Sequence, residues 1–504
     1  MKIQQDKYIP QLHFKPAYGW LNDPNGLMYV NQQWHLFYQY YPMDNVWGPM
    51  HWGHAVSDNL VDWQHLPIAL APDESGYMFS GSGIVDSLNV SGLFDEPSDN
   101  NLMVFYTSSL VSEEASHFQE QCLAYSQDGG IHWTKYANNP VIANPQLIDF
   151  RDPKVVWIEE SQHWVLLVTH GQSIGFYSST NLIDWQPVSQ FGHDQGLHSK
   201  GPWECPDLFP LTCSEDGVTK WILVVGIGDG CYDLGSGTQY FIGDFDGTSF
   251  HNDNSAETIL YLDHGRDYYA TQSWSHAPQG ERIGISWMSN WRYANHTETH
   301  SFRSIMTLPK RYRLDKNTQG NYIVAQEFAG DIPALFDEKQ PLQNSLIPEK
   351  NVYRITGQVE VNNSTQALTL FGESQPTFEL LKDDQTLIIY SQRAYFGVNE
   401  VMKKEFPHKY RIEHSLSPDT NKVDFELVVD NGTAELHLDQ GRVSISNLNY
   451  PDNLQGKVEY SGQGWSELNI AYLTTDHTHA YQAVSKACTN PVGTDLDTTD
   501  SQRV

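Results

Sequence analysis

Five strand-like runs recur along the first two thirds of the chain at a nearly fixed interval: WHLFYQYY at 34–41, LMVFYTSS at 102–109, HWVLLVTH at 163–170, WILVVGIG at 221–228 and RIGISWMSNW at 282–291. Their starts lie 68, 61, 58 and 61 residues apart. Each run is rich in β-branched and aromatic residues and is bounded by Gly, Asn, Asp or Pro, which marks strands rather than helices. A second repeat runs out of phase with the first. SDNLVDW at 57–63 and SSTNLIDW at 178–185 share the pattern S-x-N-L-x-D-W, and SQDGGIHW at 126–133 and IGDFDGTSF at 242–250 are looser copies. Each copy reads as a hairpin, a polar turn between an apolar strand and an aromatic that can plug the next sheet. A unit of about sixty residues repeated five times suits four-stranded blades set around an axis, because radial repetition leaves few exposed strand edges. The spacing therefore predicts a five-bladed β-propeller over 1–327; two unrelated β-sandwiches with chance spacing are the other reading.

After this the texture changes. Residues 328–348, FAGDIPALFDEKQPLQNSLIP, carry prolines and room for one short helix, and are expected to form a linker. Alternation then returns without the sixty-residue period in YRITGQVEV, ALTLFGE, DFELVVD and ELNIAYL, which fits a C-terminal β-sandwich over 349–490. Residues 491–504 form a small, polar, acidic tail expected to fray. The fold class is all-β.

Composition narrows the partners. Sixty-two acidic against thirty basic side chains give a formal charge of −32, which repels nucleic acid and anionic lipid over most of the surface. The longest apolar stretches, WVLLV at 164–168 and WILVV at 221–225, are strand-sized and far short of a bilayer span. The opening MKIQQDKYIPQLHF has no apolar segment of the secretory kind, so a cytoplasmic address is expected, with secretion by another route left open. Five cysteines, odd in number, scattered and without a C-x-x-C pair, argue against both a disulfide framework and a thiolate zinc site.

Three acidic residues sit in unusual surroundings. Asp23 lies in WLNDPNG (20–26), among residues that favour tight turns, so it either caps a turn or projects from one into a site. Arg151 and Asp152 in DFRDPK (149–154) immediately precede a proline and a strand; they are either a surface ion pair or part of a funnel. Glu204 in GPWECPDLF (201–209) lies between Trp203 and Cys205, with Pro202 and Pro206 beyond them. A glutamate at a strand edge points to solvent, but one buried in so apolar a run would have its pKa raised, which is how a general acid is made.

Together these motifs resemble the signature set of glycoside hydrolase family 32, the β-fructofuranosidases that include invertases, inulinases and levanases. WHLFYQYYP, VWGPMHWGHAVS, FSGSGIVD (79–86), GSGTQYFIGDFDGTSF (235–250), LDHGRDYYATQSW (262–274) and WMSNWRYA (287–294) are similar to the family's stretches and occur in the family's order. Leu21 stands where Met is common and Lys310 where Arg is frequent; the C-terminal region matches only in general character. The resemblance implies a propeller followed by a sandwich, with Asp23 as nucleophile, Asp152 as transition-state stabiliser and Glu204 as general acid/base of a retaining, exo-acting β-fructosidase on sucrose, levan or inulin. It also implies a sugar-binding shell of Asn22, Gln39, Trp47, Phe79, Ser80, Arg151 and Trp287, core packing being the other reading for the two tryptophans. No cofactor or metal is expected: His51 and His54 have H-x-x-H spacing, but in a strand they point to opposite faces. Fructosyl transfer to a sugar acceptor, a non-catalytic sugar-binding propeller and an inverting five-bladed hydrolase are the alternatives.

Overall fold

The computed structural model of the chain describes residues 6–111, 117–231, 235–372 and 377–475, and its regular structure is almost entirely strand. All five periodic runs become the second strand of a blade: Gln33–Tyr41, Leu102–Val111, His163–Thr169, Thr219–Ile227 and Ile283–Met288. These strands are sandwiched between neighbouring blades, which is why they read as continuous apolar runs. The first strands, Gly19–Val30, Tyr77–Val85, Lys154–Ile158, Trp203–Thr212 and Tyr269–Ser273, pack against one another around a common axis.

The out-of-phase repeat marks one corner, between the third and fourth strands of successive blades. Ser57 Oγ accepts from the Leu60 amide at 2.9 Å, Asn59 Oδ1 from the Asp62 amide at 2.8 Å, and Trp63 Nε1 donates to the Leu60 carbonyl at 3.2 Å. The copy in blade three repeats these bonds with Ser179, Asn181, Leu182, Asp184 and Trp185 at 2.9, 2.9 and 3.2 Å. Leu60 and Leu182 have φ of 68° and 64°, and in blade two Gly130 takes the same place at 92°. In each of these turns side-chain oxygens satisfy the amides that the turn removes from the ladder.

Ring closure joins blade one to blade five. Gly19 and Trp20 pair in parallel with Phe302 and Arg303, and Met28 bridges to Ser275, whose carbonyl accepts from the Tyr29 amide at 3.0 Å. The C-terminal domain is a sandwich of two six-stranded sheets, with Tyr353, Ile355, Leu368, Phe378, Leu427 and Leu436 in its core. Segment 328–348, expected as a linker with room for one short helix, holds a 3-10 turn at Ile332–Leu335 and also supplies two edge strands to the sandwich. Gln340–Pro341 pairs with Ile470 and Asn469, and Ser345–Leu346 with Glu459 and Val458. Residues 476–504, including the expected tail, lie outside the described residues.

The two domains meet through buried charge. His13, ahead of blade one, places Nδ1 2.8 Å from Asp430 and Nε2 2.9 Å from Glu435 of the sandwich. Burial alone would lower its pKa, but the bonds and charges of the two carboxylates outweigh burial and raise it to about 9. Lys310 of blade five reaches Asp263 at 3.0 Å and Glu435 at 3.1 Å, with Ser444 and Ser446 completing its bonds. Gly441 (φ 79°) lies so close to blade five that a Cβ there would stand 1.7 Å from the Gln326 carbonyl oxygen.

Candidate active site

WLNDPNG does not form the turn its composition suggests; it lies within the strand Gly19–Val30. Its pairing with the second strand slips between Leu21 and Pro24 and again between Asn25 and Met28. Pro24 has no amide to give the ladder, so a bulge is the conformation open to it inside a strand. The same device recurs around the axis, with slips between Phe79 and Gly81, Glu204 and Asp207, and Tyr269 and Gln272. Blade three sets Asp152 two residues ahead of its first strand with φ of 66°, and the bulges of blades four and five hold Cys205 and Ala270 at 49° and 53°. Left-handed non-glycine residues cost of order 1 kcal/mol or more and persist where surroundings hold them. Four of the first strands thus spend a bulge, and the fifth a strained residue, on aiming side chains at the axis.

Those side chains converge. Asp23, 9% exposed, accepts from Asn22 Nδ2 at 3.0 Å through Oδ1, and from Ser80 Oγ at 2.6 Å and Cys205 Sγ at 3.4 Å through Oδ2. Trp20 Nε1 donates to Asn22 Oδ1 at 2.7 Å and so turns the amide NH₂ toward Asp23. Asp152 Oδ2 accepts from the Cys205 amide at 2.9 Å and from Cys205 Sγ at 3.7 Å, while the Asp152 amide donates to Thr107 Oγ1 at 2.9 Å. Cys205 therefore touches both aspartates and directly follows Glu204. Glu204 Oε1 accepts from Arg151 Nε at 3.2 Å and Nη2 at 3.1 Å, and Oε2 from the Tyr269 hydroxyl.

The electrostatics follow from this crowding. Burial raises the pKa of Asp23, and the Glu204 charge adds to it, while Ser80, Asn22 and Cys205 pull the other way. Asp152 is also raised by burial; Arg151 opposes the shift and Glu204 and Asp23 reinforce it. The Tyr269 hydroxyl is driven well above its usual range by burial and then by Glu204, so it remains a donor. Glu204 departs from the apolar setting its sequence suggested. Its side chain is 23% exposed and takes an arginine fork and a phenol, because the bulge turns it out of the Trp203 layer.

The remaining expected residues fall into two groups. Asn22 and Ser80 hold Asp23, and Arg151 holds Glu204 while also bonding Asp149 at 2.7 Å. Trp47 and Phe79, both partly buried, meet edge to face with ring centroids 6.1 Å apart. Gln39 is buried and donates to the Met78 carbonyl at 2.9 Å. Trp287 has no exposed surface and packs under Trp20, Trp291 and Tyr269. His54 bonds His35 at 3.1 Å and stacks on Phe37, whereas His51 Nδ1 donates to the Pro49 carbonyl at 2.9 Å, so the H-x-x-H pair does not converge. Tyr269, Thr107 and Cys205 were not singled out from sequence. Of the two tyrosines in RDYYATQ, Tyr268 bonds Tyr312 at 3.1 Å and only Tyr269 reaches the axis, a choice made by strand register rather than composition.

Comparison with known proteins places this geometry. Residues 13–326 match the N-terminal domain of the glycosyl hydrolases family 32 and residues 334–474 its C-terminal domain. A levanase of Bacillus subtilis is 39% identical over 477 residues, covering 91% of this chain and 69% of the relative. An extracellular exo-inulinase of Aspergillus niger is 34% identical over 499 residues, covering 88% of this chain and 90% of that protein. Among solved structures, an exo-inulinase from Aspergillus awamori superposes with a TM-score of 0.81 at 28% identity, over 94% of this chain and 100% of the other. A fructofuranosidase from Schwanniomyces occidentalis complexed with fructose gives 0.80 at 28% identity, over 94% and 99%. With both domains matched in order and the axial carboxylates in place, the chain belongs to glycosyl hydrolase family 32.

Proposed function

We propose that the chain is an exo-acting β-fructosidase that releases fructose from the non-reducing ends of sucrose and fructans with retention of configuration. The observation that carries the mechanism is the meeting of Asp23, Asp152 and Glu204 around the single residue Cys205. Cleavage of a ketosidic bond needs a proton on the departing oxygen and a stabilised oxocarbenium-like carbon. Glu204 is the one carboxyl of the three with a solvent-facing side chain, and Arg151 and Tyr269 orient it as acid and then base. Asp23, gripped by three donors, attacks the anomeric carbon to form a fructosyl ester that water then opens. Asp152 has one oxygen on the Cys205 amide, leaving the other to bond ring hydroxyls that tighten in the transition state.

A neutral polyol suits both the polar shell and a chain of net charge −32, and the names of the relatives, levanase, exo-inulinase and invertase, support the substrate class. Among the described residues Cys122, Cys205, Cys213 and Cys231 are buried free thiols, which is in keeping with the proposed cytoplasmic address. The test is fructose release from sucrose, inulin and levan by the wild type and by Asp23→Asn and Glu204→Gln. Each variant is expected to keep its fold by circular dichroism and lose at least about a hundredfold in kcat. Near wild-type turnover by either would remove that residue from its role.

A further inference from the structure

Immediately below Asp152, Glu204 and Tyr269, the first strands of blades three, four and five carry a second buried polar group that the reaction does not use. Lys154 follows Asp152 by two residues, Asp207 follows Glu204 by three, and Gln272 follows Tyr269 by three. Lys154 Nζ lies 3.0 Å from Asp207 Oδ1, 3.2 Å from Gln272 Oε1 and 3.1 Å from the Ser273 carbonyl. The Asp207 and Lys154 side chains are 1% and 9% exposed. Asp207 Oδ2 accepts from the Ser273 amide at 2.7 Å and hydroxyl at 2.6 Å. One lysine thus ties blades three, four and five together at the axis.

The group closes a ring that includes catalytic atoms. Because the Gln272 carbonyl oxygen is taken by Lys154, its NH₂ faces the other way and donates to the carbonyls of Cys205 at 3.1 Å and Pro206 at 3.0 Å. These are the two residues after Glu204. The Cys205 amide donates to Asp152, which leads back to Lys154 along the chain. Cys205 holds a left-handed φ of 49° without being glycine, a conformation that needs outside restraint. Its carbonyl is restrained by Gln272 and its amide by Asp152. The direction of Glu204 depends on that peptide.

We propose that Lys154, Asp207 and Gln272 are positioning residues: they clamp the Glu204–Cys205 peptide so that the acid/base carboxyl meets the leaving oxygen of a sugar already held against Asp152 and Asp23. The proposal rests on the fructosidase reading above, and it makes a distinction that a stabilising role alone does not. Loss of the clamp displaces the proton donor first. It therefore penalises substrates whose leaving group needs a proton and spares those whose leaving group departs as a stable anion.

The test compares sucrose with an aryl β-D-fructofuranoside bearing a nitrophenolate leaving group. kcat/KM is read for both, since it reports only the steps through formation of the fructosyl-enzyme. Lys154→Met/Asp207→Asn removes both charges of the pair together, so neither is left without the other, while Arg282, the further cation beside Asp207, keeps its bonds to the Ser273 hydroxyl and the Trp274 carbonyl. Gln272→Leu removes the grip on the Cys205 carbonyl and is read in the same way if the double variant does not fold. The expected result is a loss of about thirtyfold or more on sucrose against threefold or less on the aryl fructoside, with Glu204→Gln giving the same skew more strongly. Equal losses on the two substrates, or no loss on sucrose, would overturn the clamp while leaving the fructosidase reading intact. Wild-type protein that released fructose from neither sucrose nor fructan would overturn that reading and the proposal with it.

Discussion

Replacing Ser80 by alanine isolates one of the three donors to Asp23, the proposed nucleophile. The hydroxyl lies 2.6 Å from Asp23 Oδ2, and the carboxylate is buried. A hydrogen bond to a buried charged acceptor is worth about 1.5–3 kcal/mol. It favours only the ionised carboxylate, so its loss raises the pKa of Asp23 by about one to two units at 1.36 kcal/mol per unit. Asp23 already titrates above the ordinary aspartate range because it is buried. Attack requires the ionised form, so activity is present above this pKa and lost as pH falls through it. The acidic limb of kcat/KM, which reports the free enzyme, should move about one to two units toward neutral pH in Ser80→Ala. The position of the limb matters more than its height, since a lost contact to the sugar would lower the whole profile without moving it. Initial rates of fructose release from sucrose between pH 3.5 and 8, at substrate well below KM, give the profile directly. A limb that stays in place or moves to lower pH would refute the argument that Ser80 keeps Asp23 ionised.

His13 predicts a pH dependence of stability. With its pKa raised to about 9 between Asp430 and Glu435, its contribution of about 3 kcal/mol is fully present below about pH 6.5 and is lost as pH rises through 9. Melting temperatures of the wild type should fall across that window, and His13→Gln should be less stable at pH 6 but show a flatter decline; parallel curves would refute it. Gly441→Ala should destabilise the folded chain by several kcal/mol, because the added Cβ meets the Gln326 carbonyl in a residue held at φ 79°; urea midpoints unchanged from wild type would contradict it. On inulin, free fructose should appear from the first minutes with little early fall in mean chain length. Early tri- to pentasaccharides would mean an open, endo-acting cleft.

The period was legible because it belongs to the second strands. Leu102–Val111 and Thr219–Ile227 are covered on both faces by the neighbouring blades, so they carry unbroken apolar runs. The first strands were legible as motifs and misleading as structure. Their bulges break alternation, and WLNDPNG has the composition of a turn while its backbone runs on as a strand. The three carboxylates could be found because each lies in a locally unusual setting. Two of their partners were not: the Tyr269 hydroxyl that meets Glu204 and the Thr107 hydroxyl that meets the Asp152 amide are 65 and 45 residues away, in strands where no local signal tells which hydroxyl faces the axis. The two-residue strands at Gln340–Pro341 and Ser345–Leu346 are too short to show any alternation.

The way the ring closes also dictates an order of events during synthesis. Blade one is made first, yet the backbone groups of Leu27 and Tyr29 find their partner in Ser275, about 250 residues later. At translation rates of about 5–20 residues per second that is a wait of tens of seconds. Throughout it, the strand bearing Asp23 is a naked sheet edge leaving the ribosome, the kind of edge that pairs with other chains. The strand of Asp23 is thus a part of the newborn chain in need of a temporary cover, and slowing translation between codons 30 and 275 should cost yield through aggregation without altering the activity of the molecules that finish.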